Sequence, residues 1–209
     1  MRTTRGLKGK KAFVRSAVAM AAVGVLTLTA ACTTGTSDDD ATDANKFTTR
    51  DVTDGTTTFV LVENPDGGQT LSYAKDGPME LLEVEEDGNT LAFKDMNANG
   101  ELDPYEDWRL EAGDRAADLA DDLTAEQISG LMLFSSHEGS PSDGLTDTQK
   151  TYLSESNLRA VLNAGSSDVE DNVTWVNEMQ AYVETLTTSD APYIPANFSS
   201  DPRNTATAA

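Results

Sequence analysis

The hydrophobic period of this 209-residue chain changes across residues 95–106, and that change limits its fold more than any other feature. Before it, Thr57-Thr58-Phe59-Val60-Leu61-Val62 and Gln69-Thr70-Leu71-Ser72-Tyr73 are rich in β-formers and flank the turn sequence Asn64-Pro65-Asp66-Gly67-Gly68. A second pair, residues 79–85 and 90–93, flanks Glu86-Asp87-Gly88-Asn89. Order is expected to begin near Phe47, and residues 46–93 are predicted to form a unit of two β-hairpins. After Trp108 the spacing is helical: Ala116, Leu119, Ala120 and Leu123 share a face, and Thr124 with Gln127 makes a capping box ahead of Ile128, Leu131 and Met132.

The helical pattern then alternates with short apolar runs. Residues 133–144 read as a loop holding the single histidine, His137, which has no paired nucleophile or orienting group and is assigned no role. Thr146 and Gln149 offer a second capping box, and residues 158–162 a short strand. Val173, Val176, Met179, Gln180, Val183 and Leu186 recur at helical spacing, with Trp175 and Tyr182 alongside as core residues rather than cofactor contacts. Tyr193-Ile194-Pro195-Ala196-Asn197-Phe198-Ser199-Ser200 reads as a strand whose C-terminal end delivers Asp201 and Arg203. In a parallel α/β barrel, ligand-binding groups sit at that end.

Asp95-Met96-Asn97-Ala98-Asn99-Gly100-Glu101-Leu102-Asp103-Pro104-Tyr105-Glu106 matches a twelve-residue calcium loop of the EF-hand kind. Calcium takes about six to eight oxygens, and alternating side chains around a tight turn supply them from a short segment. Asp95, Asn97 and Asn99 would each give a side-chain oxygen, Glu101 its backbone carbonyl, Asp103 an oxygen directly or through water, and Glu106 two. Gly100 permits the bend and Leu102 is expected to point into the core. The segment ahead of the loop reads as a strand, not a helix, and there is one such loop, so the expectation is a structural ion. The competing reading is an acidic turn that binds nothing.

The N-terminus carries a different signal. Arg2, Arg5, Lys8, Lys10, Lys11 and Arg15 precede an uncharged apolar stretch and small residues leading to Cys32, and no acid precedes Asp38. Residues 1–31 read as an export signal peptide. Thr29-Ala30-Ala31-Cys32 resembles the lipobox of bacterial lipoproteins, although Thr29 stands where that pattern prefers Leu. The resemblance implies a diacylglyceryl group on Cys32 and a membrane anchor; the other reading is an ordinary cleavage site beside an incidental cysteine. A single cysteine excludes an intrachain disulfide. Residues 32–45 have too little apolar surface to offset their ordering entropy and are predicted to be a tether. Without the six leader bases, 9 basic residues face 36 acids, a net charge of −27 that excludes a nucleic-acid backbone as partner.

Four blocks together carry a family resemblance. Phe93-Lys94-Asp95 through Trp108-Arg109, residues 121–132 with Leu123-Thr124-Ala125-Glu126-Gln127-Ile128, Trp175-Val176-Asn177-Glu178-Met179-Gln180, and Ile194-Pro195 to Asp201-Pro202-Arg203 resemble, in order and spacing, the opening of glycoside hydrolase family 3. The resemblance implies β-glucosidase-like chemistry on β-linked glycosides and an α/β fold: an incomplete (β/α)8 barrel start over 108–209, preceded by the hairpin unit and a calcium loop at 94–107. Full barrels need about 250 residues, more than this chain has.

In that family the Ile-Pro strand ends in an Asp that hydrogen-bonds the terminal sugar, and Asp201 falls on that position; Asn204 stands where the family often has His. An Asp before Pro202 is equally a turn-initiating residue. Retaining glycosidases need two carboxyl groups about 5 Å apart. The resemblance places both beyond Ala209, so no acid here is nominated as catalytic and the chain alone is expected to be inactive and unstable without a completing segment. The alternative is a calcium-stabilised surface lipoprotein that binds a glycan or protein without chemistry and closes its own core before Asp201.

Overall fold

The computed structural model describes residues 44–135, 139–163 and 168–200. The leader, most of the tether, Cys32, His137, Asp201 and Arg203 lie outside the described residues.

Two antiparallel sheets come first. Strands β1 (Thr48–Thr53), β2 (Thr58–Glu63) and β3 (Thr70–Ala74) form one, in the order β1-β2-β3; β4 (Glu80–Glu86) and β5 (Asn89–Asp95) form the other. The β4–β5 pairing runs from Glu80↔Asp95 to Glu86↔Asn89 across a two-residue turn. Asp87 and Gly88 adopt φ of 50° and 87° there, the left-handed pair that matches the twist of a tight hairpin. Across the β2–β3 loop, Asn64 is almost fully buried. Its amide donates to Gln69 O (2.8 Å) and Ala92 O (3.1 Å), and its Oδ1 accepts from Ala92 N (2.7 Å), fastening this loop to β5.

Strand β1 is an addition to the two hairpins expected from the sequence. Every residue of Thr-Thr-Arg-Asp-Val-Thr is exposed, so no buried face writes a period into it. It is ordered by pairing with β2 (Thr48↔Glu63 to Thr53↔Thr58) and by Asp54, whose Oδ1 accepts from Thr56 and Thr57 N–H in the connecting turn.

Helices follow: α1 (Ala112–Asp122), α2 (Ala125–Leu131), α3 (Asp147–Ser154) and α4 (Val169–Glu184). Thr124 and Gln127 complete the capping box at α2, and Thr146 and Gln149 the one at α3. Between them run β6 (Phe134–Ser135), β7 (Ala160–Asn163) and β8 (Asn197–Ser200), a parallel sheet in the order β6-β7-β8. Helix α3 connects the first two strands and α4 the last two, as parallel pairing requires of a crossover. Strand β6 lies in the stretch that reads as loop in the sequence; with two residues, it is too short to show a period.

The core packs Leu153 of α3, Val161 of β7, Trp175, Met179 and Val183 of α4, Met79, Tyr193 and Ala196. Phe198 of β8 meets Trp175 edge to face with centroids 5.7 Å apart. Leu102 is half-buried rather than in the core; Tyr105 and Glu106 take the buried positions of that segment instead. On the surface, Met132 (82% exposed), Leu133 and Phe134 (58%) leave an apolar patch where α2 runs into β6. Among the described residues no helix is long and apolar enough to cross a membrane.

The hairpin sheets join the helical part chiefly through α4. Lys94 of β5 donates to Ser72 O of β3 (2.9 Å) and to Glu184 Oε1 at the end of α4 (3.3 Å), and its ammonium sits 4.2 Å from the centroid of Tyr193. The other Glu184 oxygen accepts from Ala74 N at 2.7 Å. Asn177 of α4 donates to Asp54 Oδ2 (2.8 Å), a second clasp at the β1–β2 turn. Burial pulls the Lys94 ammonium below the usual lysine range, with Glu184 acting against that shift. Glu184→Ala would leave Lys94 buried without its counter-charge and Ala74 N–H without its acceptor. The expected loss is about 3–5 kcal/mol by denaturant unfolding, with a smaller loss for Glu184→Gln, which keeps an acceptor for Ala74.

Candidate functional site

The loop at 95–106 starts at the end of β5 and folds back on itself. Ala98 (φ 56°) and Gly100 (φ 74°) are left-handed, which turns successive N–H groups inward. Asp95 accepts from Asn99 N (3.1 Å) and Gly100 N (2.9 Å); Asn97 Oδ1 accepts from Asn99 N and Asn99 Oδ1 from Glu101 N. At the far end Glu106 accepts from Met96 N (2.6 Å) and Asp103 N (3.0 Å), closing residue twelve of the motif onto residues two and nine. The structure thus brings Asp95, Asn97, Asn99, Asp103 and Glu106 into one ring.

The charges within that ring are unbalanced. Asp95 and Glu106 are 4% and 1% exposed, and none of the ion pairs formed by described residues involves Asp95, Asp103 or Glu106. Burial lifts the Glu106 carboxyl above its ordinary range; the charges of Asp103 and Asp95 push the same way, while the amides of Asp103 and Met96 pull it down. The Asn97 and Asn99 amides donate to Asp103 Oδ2 at 2.8 and 2.7 Å and supply the compensation available to that carboxylate. Tyr105 is buried with a hydroxyl that has no hydrogen-bond partner of good geometry. Burial and then the neighbouring Glu106, Asp103 and Asp95 push that hydroxyl far above the usual tyrosine range.

As a donor set this is carboxylate, amide and carbonyl oxygen, the chemistry of a hard cation. Among the described residues no three His, Cys, Asp or Glu side chains converge as a metal cluster; here the carboxylates alternate with the two Asn amides. Beyond the loop, Trp108 stacks on Phe93 with centroids 5.0 Å apart and donates from Nε1 to Ala92 O (3.0 Å), and Arg109 lies over the Phe93 ring and pairs with Asp107 and Glu86. The loop is therefore clamped to β5 at both ends.

The approach to β8 is equally constrained. Tyr193 N donates to Met96 O (2.6 Å), Arg159 Nε to Ile194 O (3.0 Å), and Gln180 exchanges two hydrogen bonds with the backbone of Ala196. Burial pulls Arg159 below its ordinary range. These contacts fix the strand whose continuation holds Asp201 and Arg203, both outside the described residues. A cavity of about 810 Å³ opens beside the residues leading into β8, between Phe59, Leu61, Leu119, Gln180 and Pro195.

Sequence reasoning misses Lys94, Glu184, Tyr193 and Tyr105. The first two are separated by 90 residues, so no local pattern could pair them. Tyr105 carried a usable signal, as an aromatic between Pro104 and the closing Glu106 of an acidic loop.

No family model matches the chain. The similarity found is glycosidase-like. Over 125 residues, 56% of this chain, it is 33% identical to a periplasmic beta-glucosidase/beta-xylosidase of Dickeya chrysanthemi. The match spans 18% of that relative's length.

An unpaired buried hydroxyl costs about 1–3 kcal/mol in proteins. Tyr105→Phe is therefore expected to leave the chelator-treated protein as stable or up to about 1 kcal/mol more stable, read from the denaturant midpoint. A clear loss of stability would mean that the hydroxyl has a partner.

Proposed function

We propose that this chain supplies the N-terminal part of an exported, lipid-anchored β-glycosidase of the family 3 kind, with residues 108–209 as the start of its (β/α)8 barrel. The observation that carries the reading is the 33% identity to a periplasmic beta-glucosidase/beta-xylosidase. Parallel pairing of β6, β7 and β8 with helical crossovers supports the barrel start, since it is the repeating unit of such barrels. The exposed Met132, Leu133 and Phe134 beside an outer strand favour a larger scaffold over the self-closed lipoprotein.

In this reading Asp201 and Arg203 hold the non-reducing sugar of a β-linked glycoside. Such an enzyme needs a nucleophilic and an acid/base carboxyl group, and no acid of this chain is assigned either role. The 209-residue chain by itself then leaves a chromogenic β-glucoside or β-xyloside intact, and the gene product that includes any in-frame sequence beyond Ala209 hydrolyses it. Turnover by the 209 residues alone, or an extended product inert to every β-glycoside tried, would overturn the assignment. Cys32 carries the lipid and holds the enzyme at the outer face of a membrane; Cys32→Ala is expected to move it from the membrane fraction to the soluble one.

The loop at 95–106 is read as a structural calcium site. Asp95, Asn97, Asn99, Asp103 and Glu106 would hold the ion with the Glu101 carbonyl, and the ion would supply the positive charge that two buried carboxylates lack. Titration calorimetry of the full chain is expected to give one site, lost in Glu106→Gln. Calcium at a hundredfold excess over Kd is expected to add about 2.7 kcal/mol of stability. Absence of both binding heat and stabilisation on adding calcium would overturn the calcium reading.

A further inference from the structure

We infer that Met96 is a positioning residue that transmits order from the loop to strand β8, so that loading the loop with a divalent cation stiffens the strand that leads to Asp201. The inference rests on the calcium reading of the loop and adds a structural consequence to it. Met96 is held by both of its backbone polar groups. Its N–H donates to Glu106 Oε1 at 2.6 Å, and its carbonyl accepts from Tyr193 N at 2.6 Å. The first bond belongs to the carboxylate that closes the loop; the second is made four residues before β8 begins.

Two further contacts join the same elements. Lys94, next to the first loop residue, has its ammonium over the Tyr193 ring at 4.2 Å and its counter-charge on Glu184 of α4. Tyr193 is 8% exposed, and its side chain lies in the core with Met179 and Val183. Movement of Glu106 or Asp95 is therefore passed through Met96 and Lys94 to a residue that cannot shift without disturbing the core. From Tyr193 the path continues through Ala196, gripped by Gln180, and Asn197, whose N–H donates to Arg159 O at 2.7 Å.

Coupling of this kind is a difference in opening free energy and is read directly by hydrogen exchange. The full chain, stripped with chelator and then supplied with calcium chloride, is to be followed by amide exchange in parallel with calorimetry. Calcium is expected to slow exchange by about tenfold or more at residues 193–200 as well as at 95–106, and to leave β1 unchanged. Glu106→Gln is expected to abolish the calcium effect on both segments. Heat of binding with slowed exchange confined to 95–106 would overturn the coupling and leave the calcium site standing. No heat would overturn both. Equal slowing throughout residues 44–200, β1 included, would also count against the relay, because it would report global stabilisation in place of a path through Met96.

Discussion

The buried pair of Lys94 and Glu184 is the contact on which the rest of this architecture depends. It joins three segments at one point: β5 through the lysine, β3 through Ser72 and Ala74, and α4 through the glutamate. Ion pairs removed from water gain little net stability, because desolvation offsets much of the attraction. What they enforce is register. If α4 slipped one turn along the sheet, Lys94 would be a buried unpaired charge, a far larger penalty than a displaced apolar contact. Asn177 on Asp54 sets the other end of the same helix. The orientation of α4 then fixes Trp175 and Met179 over β7 and β8, and with them the parallel sheet.

The loop between the two halves works by a related logic. A strand ending at Asp95 must turn away before α1, and the turn is made by backbone amides converging on side-chain oxygens rather than by apolar burial. Such a turn concentrates negative charge. Holding Asp95, Asp103 and Glu106 within one twelve-residue turn, in a chain already rich in acids, is unfavourable for the folded state unless a cation or enough N–H donors face them. Met96, Asp103, Asn99 and Gly100 provide donors, and Trp108 on Phe93 provides the packing that keeps the loop closed. The hairpin unit and the loop are in this sense one element.

Local chemistry was the readable part of the sequence. The Asp87-Gly88 turn, the capping boxes at Thr124 and Thr146, the helical spacing through Met179 and the hydrogen-bonded ring from Asp95 to Glu106 are all set by residues within a dozen positions of one another. Strands without a one-sided apolar face stayed hidden: β1 is exposed throughout, and β6 has two residues. Strand β7 begins at Ala160, two residues later than the apolar run suggests; Leu158 N–H donates back to Tyr152 O of α3 (3.2 Å) instead of joining the sheet. The long-range charges were beyond reach for another reason. Nothing in the composition around Lys94 distinguishes it from a surface lysine, and its burial follows only once α4 delivers Glu184. Asp201 and Arg203 rest on the family resemblance alone.

The edges of the parallel sheet bear on what kind of protein this is. Within the described residues β6 and β8 are each hydrogen-bonded on one side, with β7 between them. Soluble proteins protect outer strands with charge, proline or a covering element, because an exposed apolar edge pairs with whatever strand it meets. Here Phe134 of β6 and the preceding Met132 and Leu133 are exposed and uncharged, in a chain whose surface elsewhere is strongly acidic. Exposed apolar residues at the β6 edge, where a single Asp or Lys would have blocked pairing, make sense if another strand or helix lies against them. A further strand or helix supplies such a neighbour and a free-standing three-stranded sheet does not, which is why the edge residues suit a larger sheet better than a self-contained one.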